Sequence, residues 1–140
     1  MSRSDAWLLY LSEDECEALL AESWFGRLGV IVDGRPEIFP VNHVWDAATR
    51  TVAFPSAHGT KLDAALECPW VSFEIDGVDE EAMTGWSVLV VGRAERITST
   101  QERERLAAER RGLWRAGAHD GWVRVVSSRV TGRQLGAISR

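Results

Sequence analysis

Apolar residues alternate with polar ones through most of this chain and fall at helical spacing in only a few places. Ser12 opens the first helical stretch: its hydroxyl can cap the helix while Glu15, three residues on, reaches back to the Ser12 N–H. Cys16, Leu19 and Leu20 share one face, which predicts a short helix to about Ser23 lying against the body of a domain. Gly26 to Val32 then reads as a strand. Asp33-Gly34 turns it back, because glycine supplies the positive φ of a tight hairpin. A second strand runs from about Glu37 to Trp45. Pro40 within it cannot donate to a ladder and so implies an edge, a bulge or locally exposed backbone.

Thr51 to Pro55 is a third strand, followed by a helix around Leu62 to Leu66 and a fourth strand from Trp70 to Ile75. By composition the acidic segment Asp76 to Thr84 reads as a solvated loop, its carboxylates lacking the spacing of a calcium loop. The longest strand pattern is Gly85 to Ile97. Val88, Val90, Gly92 and Ala94 share one face and Leu89, Val91 and Ile97 the other, as expected of a barrel strand with both faces covered. Ser99 and Glu102 form a second possible capping box, opening a charged helix to about Arg111. Trp122 to Ser127 and Arg129 to Leu135 supply the last strand material. Six or so short strands with peripheral helices and one helical crossover predict a mainly β (α+β) single domain over residues 1–140, a small closed or split β-barrel.

Composition narrows the functions. A chain of 140 residues with 45% apolar content suits one packed domain. The formal charge of −5 argues against nucleic acid and anionic membranes as partners, since both need clustered cations. No N-terminal segment resembles a leader and no stretch approaches a membrane span, so a cytoplasmic location is expected. Cys16 and Cys68 are isolated and read as buried thiols. His43, His58 and His119 are scattered, so no metal site is expected. No GxSxG elbow, Walker loop or GxGxxG fingerprint occurs.

The sequence holds a single lysine, Lys61, and it lies in the small-residue stretch Ser56-Ala57-His58-Gly59-Thr60-Lys61 between a strand and a helix start. The first N–H groups of a helix lack internal acceptors, Gly59 permits close main-chain approach, Ser56 and Thr60 offer hydroxyls, and Lys61 adds a point charge. Such a loop can cradle a phosphate, although most such loops are simply capped turns. Seven tryptophans are the other unusual feature, and they suit a core, a dimer interface or the wall of an aromatic cofactor site.

Gly26-Arg27-Leu28-Gly29, Asp33-Gly34-Arg35-Pro36, Phe39-Pro40-Val41-Asn42-His43, Gly59-Thr60-Lys61-Leu62, Phe73-Glu74-Ile75-Asp76, Gly85-Trp86-Ser87-Val88 and Trp122-Val123-Arg124-Val125, taken in order, resemble the pyridoxamine 5'-phosphate oxidase-like, FMN-binding split-barrel family. The resemblance spans about Leu11 to Leu135. It implies a homodimer of six-stranded split β-barrels with two FMN molecules at the interface. By the same resemblance, Phe39, Pro40, Val41 and Asn42 lie beside the flavin ring. Thr60 and Lys61 hold the phosphate, with Ser56, Ala57 and Gly59 as further donors. Trp86, Ser87 and Val88, with Trp122 and Arg124, reach the partner subunit's flavin or pack the dimer.

The arginine and histidine substrate motif of the longer oxidases has no counterpart before Arg140, which argues against pyridoxamine phosphate as substrate. His43 stands where many relatives have tyrosine, so no substrate contact is carried over there. The implied activity is an FMN-dependent oxidoreduction of a small planar organic molecule, the flavin supplying the electron chemistry and no catalytic side chain being identified. Two alternatives stand beside it: a reductase using the deazaflavin F420 in the same barrel, and a non-enzymatic dimer that holds flavin or haem.

Overall fold

The structure, a computed structural model, describes residues 8–56, 63, 66–109 and 121–136. In chain order the elements are β1 (Leu8–Leu11), α1 (Glu13–Glu22), β2 (Phe25–Val32), β3 (Arg35–Asn42), β4 (Val44–Asp46), β5 (Thr51–Pro55), β6 (Trp70–Asp79), β7 (Thr84–Arg96), α2 (Thr100–Glu109) and β8 (Trp122–Gly136). All the described strand pairings are antiparallel, in the order β3-β2-β6-β7-β8-β5-β4, with β1 also on β8. The two strands that end this order, β3 and β4, are separated in sequence by His43 alone. A sheet whose first and last strands are joined by one residue has to curl until its ends meet. The result is the split β-barrel.

Among the described residues, closure is incomplete on one side of β8. Its Trp122–Val125 half pairs with β5 and its Gly132–Leu135 part with β1, while β7 lies along the other edge. Between those two partners the ladder is interrupted, and here β8 also carries a bulge: Val91 faces Arg129 and Gly92 faces Ser127, leaving Ser128 without an opposite residue.

The capping box at Ser12 forms as the pattern predicts: the Ser12 N–H donates to Glu15 Oε1 at 2.8 Å and the Glu15 N–H to Ser12 Oγ at 3.2 Å. α1 turns Cys16 and Leu20 into the barrel, where they join Leu28, Phe54, Phe73, Ile75, Val88 and Val125 in the principal core. Fully burying each of the larger of these side chains contributes about 1.5–3 kcal/mol. α2 lies on the outer face instead, its Leu106 packed with Val44, Ala53, Ile97 and Trp122 in a second core. Two ion pairs flank that apolar patch, Asp46 with Arg105 and Glu102 with Arg124.

The β2–β3 hairpin turns through Asp33 and Gly34 at φ of 51° and 75°, the double positive φ of a two-residue turn that follows the strand twist. Among the described residues β3 pairs with β2 only and is the terminal strand of the order, so Pro40 sits on an edge strand.

Several expectations need correction. The predicted strand from Glu37 to Trp45 is two strands, broken at His43 where the chain passes from one end of the sheet to the other. Asp76–Asp79 is strand, not loop, paired residue for residue with Thr84–Ser87. The two segments after Trp122 are one strand through the bulge. β1 and β4 bring the count above six. Cys68 is exposed, while Cys16 is buried as expected. Glu102 does not complete the second capping box. Its N–H donates to Ser99 Oγ at 3.2 Å, but its carboxylate turns to Arg124. The predicted helix around Leu62 lies outside the described residues, apart from Asp63, whose carboxylate pairs with Arg96 at 2.6 Å, and Leu66.

Candidate functional site

The seam of the barrel gathers the first group of candidate residues. Phe39 and Val41 turn inward against the core, Pro40 is exposed, and Asn42 is buried at the end of β3. The carbonyl of Trp24 accepts two bonds there, from Asn42 Nδ2 at 2.7 Å and from the His43 N–H at 2.8 Å. Asn42 Oδ1 is buried without a hydrogen-bond partner among the described residues. β3 and β5 approach each other across the seam. At the end of β5, Ser56 is 2% exposed and its N–H donates to the Gly121 carbonyl at 2.7 Å, yet its buried hydroxyl has no hydrogen-bond partner among the described residues. Ala57, Gly59, Thr60 and Lys61 follow directly and lie outside the described residues.

His43 is the buried residue at the join. Its Nε2 lies 3.3 Å from the Leu20 carbonyl, which can only accept, so Nε2 carries the proton and Nδ1 is left as a bare, buried acceptor. The ring also meets Ser23 Oγ at 3.2 Å and stands edge-on to Phe73 with centroids 4.9 Å apart. Burial pushes its pKa down to about 4, against the opposing pull of the Leu20 carbonyl. It is neutral at pH 7.

Trp122 faces Pro55 and is buried in the second core, and Arg124 faces Ala53 with its guanidinium paired to Glu102 and, at 3.8 Å, to Glu95. Trp122 therefore sits next to Ser56 along the β5–β8 ladder, and Arg124 lies near that end of it, across from Ala53. Trp86, Ser87 and Val88 do not lie there. They pair with Gln134, Arg133 and Gly132, whereas Trp122 and Arg124 lie across from the far end of β7, where Glu95 pairs with Arg124. Eight residues of strand separate Ser87 from Glu95, roughly 26 Å of rise. Within one chain the two groups do not meet. Val88 is fully buried, and Trp86 is half-buried over Gly77.

The outer face of β2 and β6 carries a charged triad. Arg27 Nη1 lies 3.4 Å from Glu74 and 3.0 Å from Asp76. Burial and then the neighbouring Asp76 carboxyl raise the Glu74 pKa to about 7, and Arg27 only partly opposes them. Beside the triad, Ile31, Ile38 and Trp70 leave an exposed apolar surface, with Arg93 stacked 5.4 Å over the Trp70 ring. Neither Asp46 nor Gly77 carries a local sequence signal of its contacts. Asp46 binds an arginine 59 residues away, and no local pattern announces such a pair.

The family model described as pyridoxamine 5'-phosphate oxidase matches residues 12–134. An uncharacterized protein of Mycobacterium tuberculosis is 36% identical over 138 residues, covering 93% of this chain and 87% of its own. The solved structure of an FAD binding protein from Mycobacterium smegmatis is 36% identical, with a TM-score of 0.77 over 91% of this chain and 100% of that one. An FAD-binding protein from Mesorhizobium loti, 24% identical with a TM-score of 0.75 over 92% of this chain and 99% of its own, shares the fold. The chain belongs to the pyridoxamine 5'-phosphate oxidase family. Among its described residues no helix is long and apolar enough to cross a membrane.

Proposed function

We propose that this chain is a flavin-dependent oxidoreductase that binds FMN at the seam of the barrel and acts, as a homodimer, on a small planar organic molecule. The observation that carries the reading is the Ser56 hydroxyl, buried and without a hydrogen-bond partner among the described residues, at the entry to the loop that leads to Lys61. A buried hydroxyl left unpaired costs about 1–3 kcal/mol. A phosphate accepting from it, and from Thr60, Lys61 and the N–H groups near Ala57 and Gly59, relieves that cost. Asn42 Oδ1 at the end of β3 is the matching acceptor for an N–H at the edge of a flavin ring. The isoalloxazine supplies the electron chemistry when bound, and the protein's part is to orient, anchor and exclude water.

The separation of Trp86 and Ser87 from Ser56 supports a site built by two chains, with the β7 residues of one protomer meeting the seam of the other. The apolar surface at Ile31, Ile38 and Trp70 suits such an association. A single monomeric mass at micromolar concentration by light scattering overturns this part. The relative named for FAD binding favours a second reading in which the flavin is FAD. Absorbance of the purified protein and titration of apo-protein with FMN, FAD, riboflavin and F420 test both. A flavin spectrum with tightest binding of FMN is expected, and no bound flavin overturns the function.

A further inference from the structure

We propose that the gap in the barrel beneath α1 is a second small-molecule site, selective for an amphipathic ammonium compound such as an alkyl- or arylamine. A cavity of about 290 Å³ lies there. None of its lining residues is among those assigned to the flavin. Its floor is apolar, formed by Val52, Val90, Val125 and Val130, and Trp45 contributes an aromatic wall. A cavity of ~150 Å³ accommodates benzene, so this one has room for a substituted ring.

Three separate departures from regular structure converge on the cavity. Among the described residues, the gap between β5 and β1 leaves the middle of β8 without a strand on that edge, and the bulge at Ser128 puts both Ser127 and Val130 on the cavity wall. Arg50 ends the β4–β5 turn in the left-handed region at φ 54°, a conformation unusual for a residue with a side chain. From there its guanidinium crosses to α1, with Nε 3.2 Å from Glu17 Oε1 and Nη2 3.9 Å from Glu13. The rim therefore holds two carboxylates against one guanidinium.

That balance selects the ligand. A carboxylate or phosphate at the rim meets excess negative charge, and Arg50 is already engaged by Glu17. An ammonium group instead finds the Glu13 carboxylate, 71% exposed and only loosely held by Arg50, and the Trp45 ring for a cation–π contact, while its hydrocarbon part covers the valines.

Calorimetry and 1H–15N NMR with benzylamine, benzyl alcohol and benzoate test the assignment, with Trp45→Phe identifying the Trp45 indole signal. Benzylamine is expected to bind saturably and shift that signal, with benzoate at least about tenfold weaker, a difference of ~1.4 kcal/mol. The double variant Glu13→Gln/Glu17→Gln is expected to lower benzylamine affinity about tenfold and leave benzyl alcohol within about twofold. Ser127→Trp, a change at an exposed position on the mouth, is expected to abolish binding of both while the thermal midpoint is kept, which guards against loss of fold in the acidic variant. Absence of saturable benzylamine binding, benzoate binding as tightly, or undiminished binding to Ser127→Trp each overturns the proposal.

Discussion

Gly77 and Trp86 face each other across the β6–β7 ladder, and the indole of Trp86 occupies the space where a Gly77 side chain would be. A Cβ at Gly77 would stand 2.6 Å from Nε1 and 2.8 Å from Cε2 of that ring. The glycine thus fixes where Trp86 lies on β7. Gly77→Ala is expected to destabilise by about 1–3 kcal/mol through overpacking. Denaturant unfolding checks the stability, and a change in Trp86 emission, isolated by comparison with Trp86→Phe, checks the displacement.

Asp46 joins the second helix to the sheet. Its side chain is 1% exposed and takes Arg105 Nη1 at 2.9 Å and Nη2 at 3.1 Å, with Thr49 Oγ1 at 2.9 Å and the Ala48 N–H at 3.1 Å. Burial alone would raise the Asp46 pKa, but Arg105, Thr49 and Ala48 together outweigh it and hold the carboxyl below its ordinary range. Its contribution is present above the unfolded pKa and lost as pH falls through the folded one. Asp46→Ala is expected to cost about 2–4 kcal/mol at neutral pH and less in strong acid, by chemical denaturation across pH.

His43 sets a second pH dependence. The unfolded chain binds a proton at this residue more readily than the folded one between pH 6.5 and about 4. The stability it provides is full above that window and falls as acid is added through it, by roughly 3 kcal/mol in all. His43→Phe keeps a ring against Phe73 and is expected to flatten the stability profile over this range. A profile equally steep in the variant contradicts the assignment.

Lys61 carries the phosphate part of the proposal. Lys61→Ala is expected to weaken FMN by about 1.5–3 kcal/mol, the scale of a charge-assisted bond, with the dimer intact. Riboflavin lacks the phosphate and is expected to bind the variant and the parent alike. Equal weakening of both ligands removes Lys61 from the phosphate site.

The phosphate anchor leaves the substrate open, and the planar substrate of the proposal rests on the aromatic surface that Trp86 offers. Bound flavin is expected to be reduced by nicotinamide donors or reduced F420 and reoxidised by a quinone or nitroaromatic compound, faster than free FMN, without turnover of pyridoxamine phosphate. Production of pyridoxal phosphate refutes the specificity. No reaction above free FMN refutes the enzyme and leaves a flavin-holding dimer.

What the sequence determined by itself was local. The Ser12 capping box, the Asp33-Gly34 hairpin, the alternation of Val88, Val90 and Gly92 and the edge placement of Pro40 each depend on residues within a few positions of one another, and each is visible as a period or a cap. The tertiary structure decided what distant residues do to one another. His43 becomes the join between the two ends of the sheet only because β2, β6, β7, β8 and β5 lie between them. Glu102 leaves its own helix cap for Arg124, 22 residues on, since a charged partner competes better for a carboxylate than a backbone N–H does. The acidic run Asp76–Asp79 becomes strand because Thr84–Ser87 supplies its ladder and Arg27 offsets its charge at Asp76. Pairings over such separations leave no periodic trace in the chain, because their energy depends on which surfaces the closed barrel brings together.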